Sequence, residues 1–152
     1  MRTRIVVADQ SEACFFDIER PDPALRPAGR LLDPQAHLHD RDFKSDAPGR
    51  VFDHAPGPGR RGATGHHSTG ADDRRPRKHE AQLFARHIAE VLEQAQQRRS
   101  FDRLIIMAGP PFLGVLREAF PAALRALVIA EVPKDLVHQG TAAVQAHLPP
   151  ET

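Results

Sequence analysis

The chain contains neither tryptophan nor tyrosine and has a single cysteine, Cys14. The missing rings remove the best platforms for unpaired bases, which argues against sequence-specific recognition of single strands by stacking. One cysteine excludes an intramolecular disulfide and any zinc site built on several thiolates. It also suits a reduced compartment. Cys14 sits in the apolar stretch Ala13-Cys14-Phe15-Phe16, where a free thiol behaves as a small buried residue. No segment approaches the apolar length of a membrane span. The opening run Ile5-Val6-Val7-Ala8 is too short for the apolar region of a secretory signal. The sequence therefore predicts a soluble, unexported, cytoplasmic protein. An excess of one charge is lacking as well: 21 Lys and Arg oppose 20 Asp and Glu, a formal net charge of +1. A nucleic-acid-binding surface would have to be local. No Walker-type loop or dinucleotide fingerprint occurs, and no cofactor is indicated.

At 152 residues the length suits one domain, here expected to be a single α/β domain over 1–152. Ile5-Val6-Val7-Ala8 reads as a central strand, and Ala13 to Ile18 as its hairpin partner across Asp9-Gln10-Ser11-Glu12. Pro21, Pro23 and Pro27 interrupt the next stretch, leaving Gly29-Arg30-Leu31-Leu32 as an edge-like third strand. A helix is predicted from Arg77 to Arg99, with Leu83, Phe84, His87, Ile88, Val91, Leu92 and Ala95 on its apolar face. Leu104 to Ala108 is uniformly apolar, as in a parallel strand covered on both faces. Gly109-Pro110-Pro111 starts a second helix with Phe112, Leu113, Leu116 and Phe120 inside, and Pro121 breaks it. Leu127 to Ala130 reads as another buried strand, and Thr141 to Leu148 as a last helix.

Between about residues 35 and 78 the pattern fails. Proline and glycine are dense from Pro48 to Gly70, and neither strand nor helix periodicity persists. Over 41–78, nine basic residues against five acids leave a local excess of +4. This stretch reads as a long, flexible, Pro/Gly/Arg-rich basic loop. Its candidate RNA-contacting residues are Arg60, Arg61, Arg74, Arg75, Arg77 and Lys78, because arginine forks match phosphate geometry.

The order of elements fits a ribonuclease H-like mixed sheet with helices on its faces. Several segments also carry a family resemblance. They are Val7-Ala8-Asp9 with Ala13, Lys78-His79-Glu80 with Phe84-Ala85-Arg86, Ala108-Gly109-Pro110-Pro111-Phe112-Leu113-Gly114 with Leu116-Arg117, and Glu131-Val132-Pro133-Lys134-Asp135-Leu136. In combination they resemble the bacterial host attachment protein family, over almost the whole chain outside the loop. That family is similar to the middle domain of archaeal and eukaryotic peptide-chain release factors. Those factors carry a Gly-Gly-Gln loop before the long helix. This chain has Gly65-His66-His67 and Gly70-Ala71-Asp72 there and no Gly-Gly-Gln, so peptide release does not carry over. The resemblance implies a cytoplasmic module that binds RNA or the ribosome, and a protein partner is the competing class.

A metal-dependent nucleic-acid hydrolase is the enzymatic alternative. It would need carboxylates converging on metal ions, with Asp9 and either Glu80 or Glu90 as candidates. No acid follows Met107, where a third ligand is expected, so the set is incomplete and Asp9 reads as a turn residue. His37, His39, His54, His66, His67 and His79 lack an accompanying acid or thiol pattern and read as solvated; His87 reads as a core-edge residue. No metal site is assigned, and the chain reads as non-catalytic more readily than as an enzyme.

Overall fold

The computed structural model describes residues 1–34, 66–150 and 152, and for 66–76 the helix backbone alone. The strands are β1 (Arg2–Ala8), β2 (Glu12–Glu19), β3 (Asp22–Leu32), β4 (Arg103–Ala108) and β5 (Val128–Val132). The helices are α1 (His66–Gln97), α2 (Pro110–Ala119), α3 (Ala122–Arg125) and α4 (Thr141–Ala146). One mixed sheet runs β3-β2-β1-β4-β5. β2 is antiparallel to β1 and β3, while β4 is parallel to β1 and β5.

β1 and β4 are central because their side chains are apolar on both faces. Ile5 to Ala8 and Leu104 to Ala108 are all at most 1% exposed. Val6, Leu104 and Ile106 face α1, α2 and α3, whereas Ile5, Ile105 and Met107 face Leu136 and Val144. At the start of the pair, Asp102 Oδ2 accepts the Arg2 amide at 2.9 Å and the Asp102 amide donates to the Arg2 carbonyl at 2.8 Å. Beside them, Arg4 donates two bonds to Asp17 (2.8 and 2.9 Å), its cross-strand partner on β2.

The edges of the sheet depart from the local sequence patterns. β3 runs from Asp22 rather than from Gly29 and includes Pro23 and Pro27. An edge strand tolerates proline where the missing N–H would face solvent, and Pro27 stands opposite Phe16 at a register irregularity. The Arg20–Pro21 peptide is cis. β5 is not a buried strand but the opposite edge, with Ile129 45% exposed.

α1 begins at His66, not at Arg77, so part of the stretch read as loop is helix. Its inner face carries two rows at i, i+4, i+8: Phe84-Ile88-Leu92 and Ala81-Ala85-Ala89, all buried. The alanine row lets the helix axis approach the sheet closely. Leu83 and His87 face solvent for the same reason, since the small row takes the place that the spacing of large residues assigns to them. α1 ends in a Schellman cap: the Ser100 amide reaches the Ala95 carbonyl (2.9 Å) and the Arg99 amide the Gln96 carbonyl (2.9 Å). Arg99 holds the left-handed position at φ 56°. No described helix is long and apolar enough to cross a membrane.

This packing makes two stability effects measurable. Phe84 is 3% exposed and stacks on Phe112 with ring centroids 6.2 Å apart, so Phe84→Ala should cost about 3–5 kcal/mol in urea unfolding. An unchanged midpoint would contradict its anchoring role. Arg99→Gly should raise stability by roughly 0.5–1 kcal/mol, because glycine relieves the side-chain penalty of that backbone position. A lower midpoint in Arg99→Gly would show that the cap is not as described.

Candidate functional site

The parallel register places Ala8 opposite Ala108, so β1 and β4 end level and release Asp9 and Gly109 side by side. This is where the chain leaves the two strands in opposite directions, to β2 and to α2. Open α/β sheets place their ligand crevices outside the carboxyl ends of strands at such points. A cleft of about 300 Å³ opens there, lined by Asp9, Gln10, Ser11, Gly109, Pro111, Phe112 and Asp135.

Asp9 is held by its own turn. Its Oδ1 accepts the amides of Ser11 (2.7 Å) and Glu12 (2.8 Å). Asp135 comes from the segment after β5 and is exposed; its Oδ1 accepts the Val137 amide at the long distance of 3.5 Å. A Cβ on Gly109 would stand 3.7 Å from the Asp135 Cβ, so these two residues form facing walls. Pro110 and Pro111 occupy the first turn of α2 and remove N–H donors there. The cleft thus offers acceptors and apolar surface, not the donor-rich rim of an anion site.

Behind the cleft lies a charged cluster. Glu12 is 6% exposed and accepts Arg30 Nε at 2.7 Å. His138 brings Nδ1 within 3.4 Å of Glu12 and Nε2 within 3.6 Å of Asp9. Burial, then the neighbouring Glu12 charge, pushes the Cys14 thiol above its ordinary pKa, so it is a poor nucleophile.

The long helix reaches the same edge. Phe84 stacks on Phe112, a cleft residue, while the far end of α1 lies at the start of β1, where Arg2 Nη1 donates to the Ser100 carbonyl at 3.3 Å. Along α1, Ala81 is the first residue described as buried, and Arg77, Lys78 and His79 are exposed. From His66 to Glu80 the helix backbone therefore runs roughly 20 Å, at 1.5 Å per residue, ahead of that footing on the core.

Arg74 and Arg75 lie on the helix backbone of this extension, ahead of the exposed Arg77 and Lys78. Arg60 and Arg61 lie outside the described residues, as do His37, His39 and His54. Asp9 is engaged in its turn, Glu80 is half-buried on α1, and Glu90 is exposed. Among the described residues no three His, Cys, Asp or Glu side chains are placed to hold a metal ion. Sequence reasoning singles out neither Asp135, Gln10 and Ser11 as a site nor the Arg30–Glu12 pair. The signal for Asp135 is its place in Glu131-Val132-Pro133-Lys134-Asp135-Leu136, one of the segments that carry the family resemblance.

The family model described as "Protein required for attachment to host cells" matches residues 4–148. The chain belongs to that family. The match reaches every described strand and takes in all the lining residues of the cleft of this host attachment protein. No curated protein matches it.

The turn role of Asp9 can be measured. Asp9→Ala should destabilise this host attachment protein by about 1–2 kcal/mol, since it leaves the part-buried Glu12 amide without its side-chain acceptor. Asp9→Asn should recover most of that loss, because an amide oxygen can accept the same bonds. Equal losses in urea melts of both variants would mean that the charge, not the turn, matters.

Proposed function

We propose that this host attachment protein is a non-catalytic RNA-binding module that grips phosphates with the basic segment at the head of α1. Arg74, Arg75, Arg77 and Lys78 carry the contact, joined by Arg60 and Arg61. The observation that supports this reading is the α1 extension: its basic positions precede the helix's footing on the core, and Arg77 and Lys78 are exposed to solvent. A helix segment with no packing duty has no structural need for such a run. The strand order β3-β2-β1-β4-β5 supports a ribonuclease H-like reading of the sheet. The resemblance to release-factor middle domains supports a structured RNA, such as the ribosome, as the target, in a cytoplasmic setting.

Contact through phosphates has a thermodynamic signature. Each neutralised phosphate releases counterions, so affinity for any RNA should fall steeply with salt. Replacing Arg74, Arg75 and Arg77 together by alanine should weaken binding to all RNAs by the same factor. It should also reduce the slope of log K against log salt by about one unit for each arginine–phosphate pair removed. The urea midpoint should hold, because Arg77 is exposed and Arg74 and Arg75 lie ahead of the buried rows of the helix. Fluorescence anisotropy with labelled RNA at several salt concentrations measures this. Wild-type protein that binds no RNA or ribosome at low salt, or a triple variant that binds equally well, would transfer the role to a protein partner.

A further inference from the structure

We infer that the cleft at the carboxyl ends of β1 and β4 is a nucleobase pocket that selects guanine from the RNA held by α1. This rests on the RNA-binding reading above and deepens it. The cleft is about 300 Å³, at the lower end for a small-molecule pocket and enough for one base. Its chemistry decides what enters. The side chains of Asp9, Asp135, Gln10 and Ser11 supply acceptors, while Gly109, Pro111 and Phe112 supply apolar walls. The prolines at the start of α2 remove the amides that would hold a phosphate. An anion is therefore excluded, and a flat group with hydrogen-bond donors on one edge fits.

Two ligand types have such an edge, a nucleobase and a guanidinium. The neighbouring helix discriminates between them. A cationic peptide reaching the cleft would approach Arg77 and Lys78 and be repelled, whereas a nucleotide places its phosphate on them and its neutral base in the cleft. Lys78 is six residues, about 9 Å along the axis, from Phe84, which stacks on the cleft residue Phe112. Among the bases, guanine alone presents N1–H and N2–H side by side. These match the two oxygens of one carboxylate. Asp135 is that carboxylate: it is exposed, and its bond from the Val137 amide, at 3.5 Å, is long enough to yield. Asp9 serves as the fixed opposite wall, since its turn bonds are short (2.7 and 2.8 Å). Selection by a hydrogen-bonding edge needs neither tryptophan nor tyrosine, so it adds one base preference to sequence-neutral phosphate binding.

The test titrates GMP, AMP, CMP and UMP into isotope-labelled full-length protein and follows the amides of Gln10, Ser11, Gly109 and Asp135. GMP should shift them at the lowest concentration, and inorganic phosphate alone should not. Asp135→Asn should weaken GMP binding about tenfold, because one of the two acceptors becomes a donor facing N2–H or N1–H. Gly109→Leu should abolish it without lowering the thermal midpoint: φ −59° and ψ 152° suit any residue, and the added side chain points toward Asp135 into the cleft. Equal shifts with all four nucleotides, or GMP binding unchanged in both variants, overturns the pocket. So does agmatine binding through Asp135 in the absence of a GMP response, which would make the cleft an arginine-docking site. Salt-dependent RNA binding that persists beside a silent cleft overturns this inference alone. Loss of RNA binding with GMP still seated in the cleft instead overturns the phosphate-gripping helix.

Discussion

The parallel pairing of β1 with β4 is the constraint on which the rest depends. Both strands are apolar on both faces, so neither can lie at an edge without exposing a run of Ile, Val, Leu or Met to water. Each must have neighbours and layers on both sides. The hairpin to β2 and β3 fills one flank, and β5 fills the other. The register, locked at the start by the Arg2–Asp102 exchange, carries through to Ala8 and Ala108. Because the strands end level, Asp9 and Gly109 emerge together, and the cleft is a geometric consequence of burying the core.

The same constraint divides α1 into two functional lengths. Its C-terminal part covers the sheet through Phe84, Ile88, Leu92 and the alanine row. Its N-terminal part passes the carboxyl ends of the strands, because a crossover helix runs antiparallel to the strand it leads into. The core residues of α1 begin at Ala81, so sheet coverage does not call for the earlier turns. A helical extension bearing arginines has its charges at a fixed rise and direction, whereas the same residues on a loop would lose more entropy on binding.

The centre of this molecule is legible in the sequence and its periphery less so. Ile5–Ala8 and Leu104–Ala108 are recognisable because double-sided burial writes a continuous apolar run, and α2 is recognisable from Gly109-Pro110-Pro111 and its inner Phe and Leu residues. Pro23 and Pro27 read as breaks and shorten β3 on paper, although an edge strand accommodates them. β5 looks buried because Val128-Ile129-Ala130 is apolar, yet only tertiary context reveals its place at the edge of the sheet. On α1 the periodicity of large side chains overlooks alanine, which turns Leu83 and His87 inward when they face water. The cleft is invisible in the sequence for a different reason: Asp9 and Asp135 stand near opposite ends of the chain, and each by itself is an ordinary turn residue.

A net charge near zero conceals how charge is arranged at this edge. Arg77 and Lys78 stand on the helix that passes the cleft, while Asp9 and Asp135 line it and Glu12 lies behind, its charge answered by Arg30. If the two signs were there to stabilise each other, they would pair. Instead Asp9 is spent on backbone amides, Glu12 on Arg30, and Arg77 and Lys78 face solvent. Exposed ion pairs would contribute little stability in any case. A positive track beside an acceptor-lined recess is an arrangement that gains from a ligand carrying an anionic backbone and neutral donor groups. A nucleotide has both, on opposite sides of one sugar.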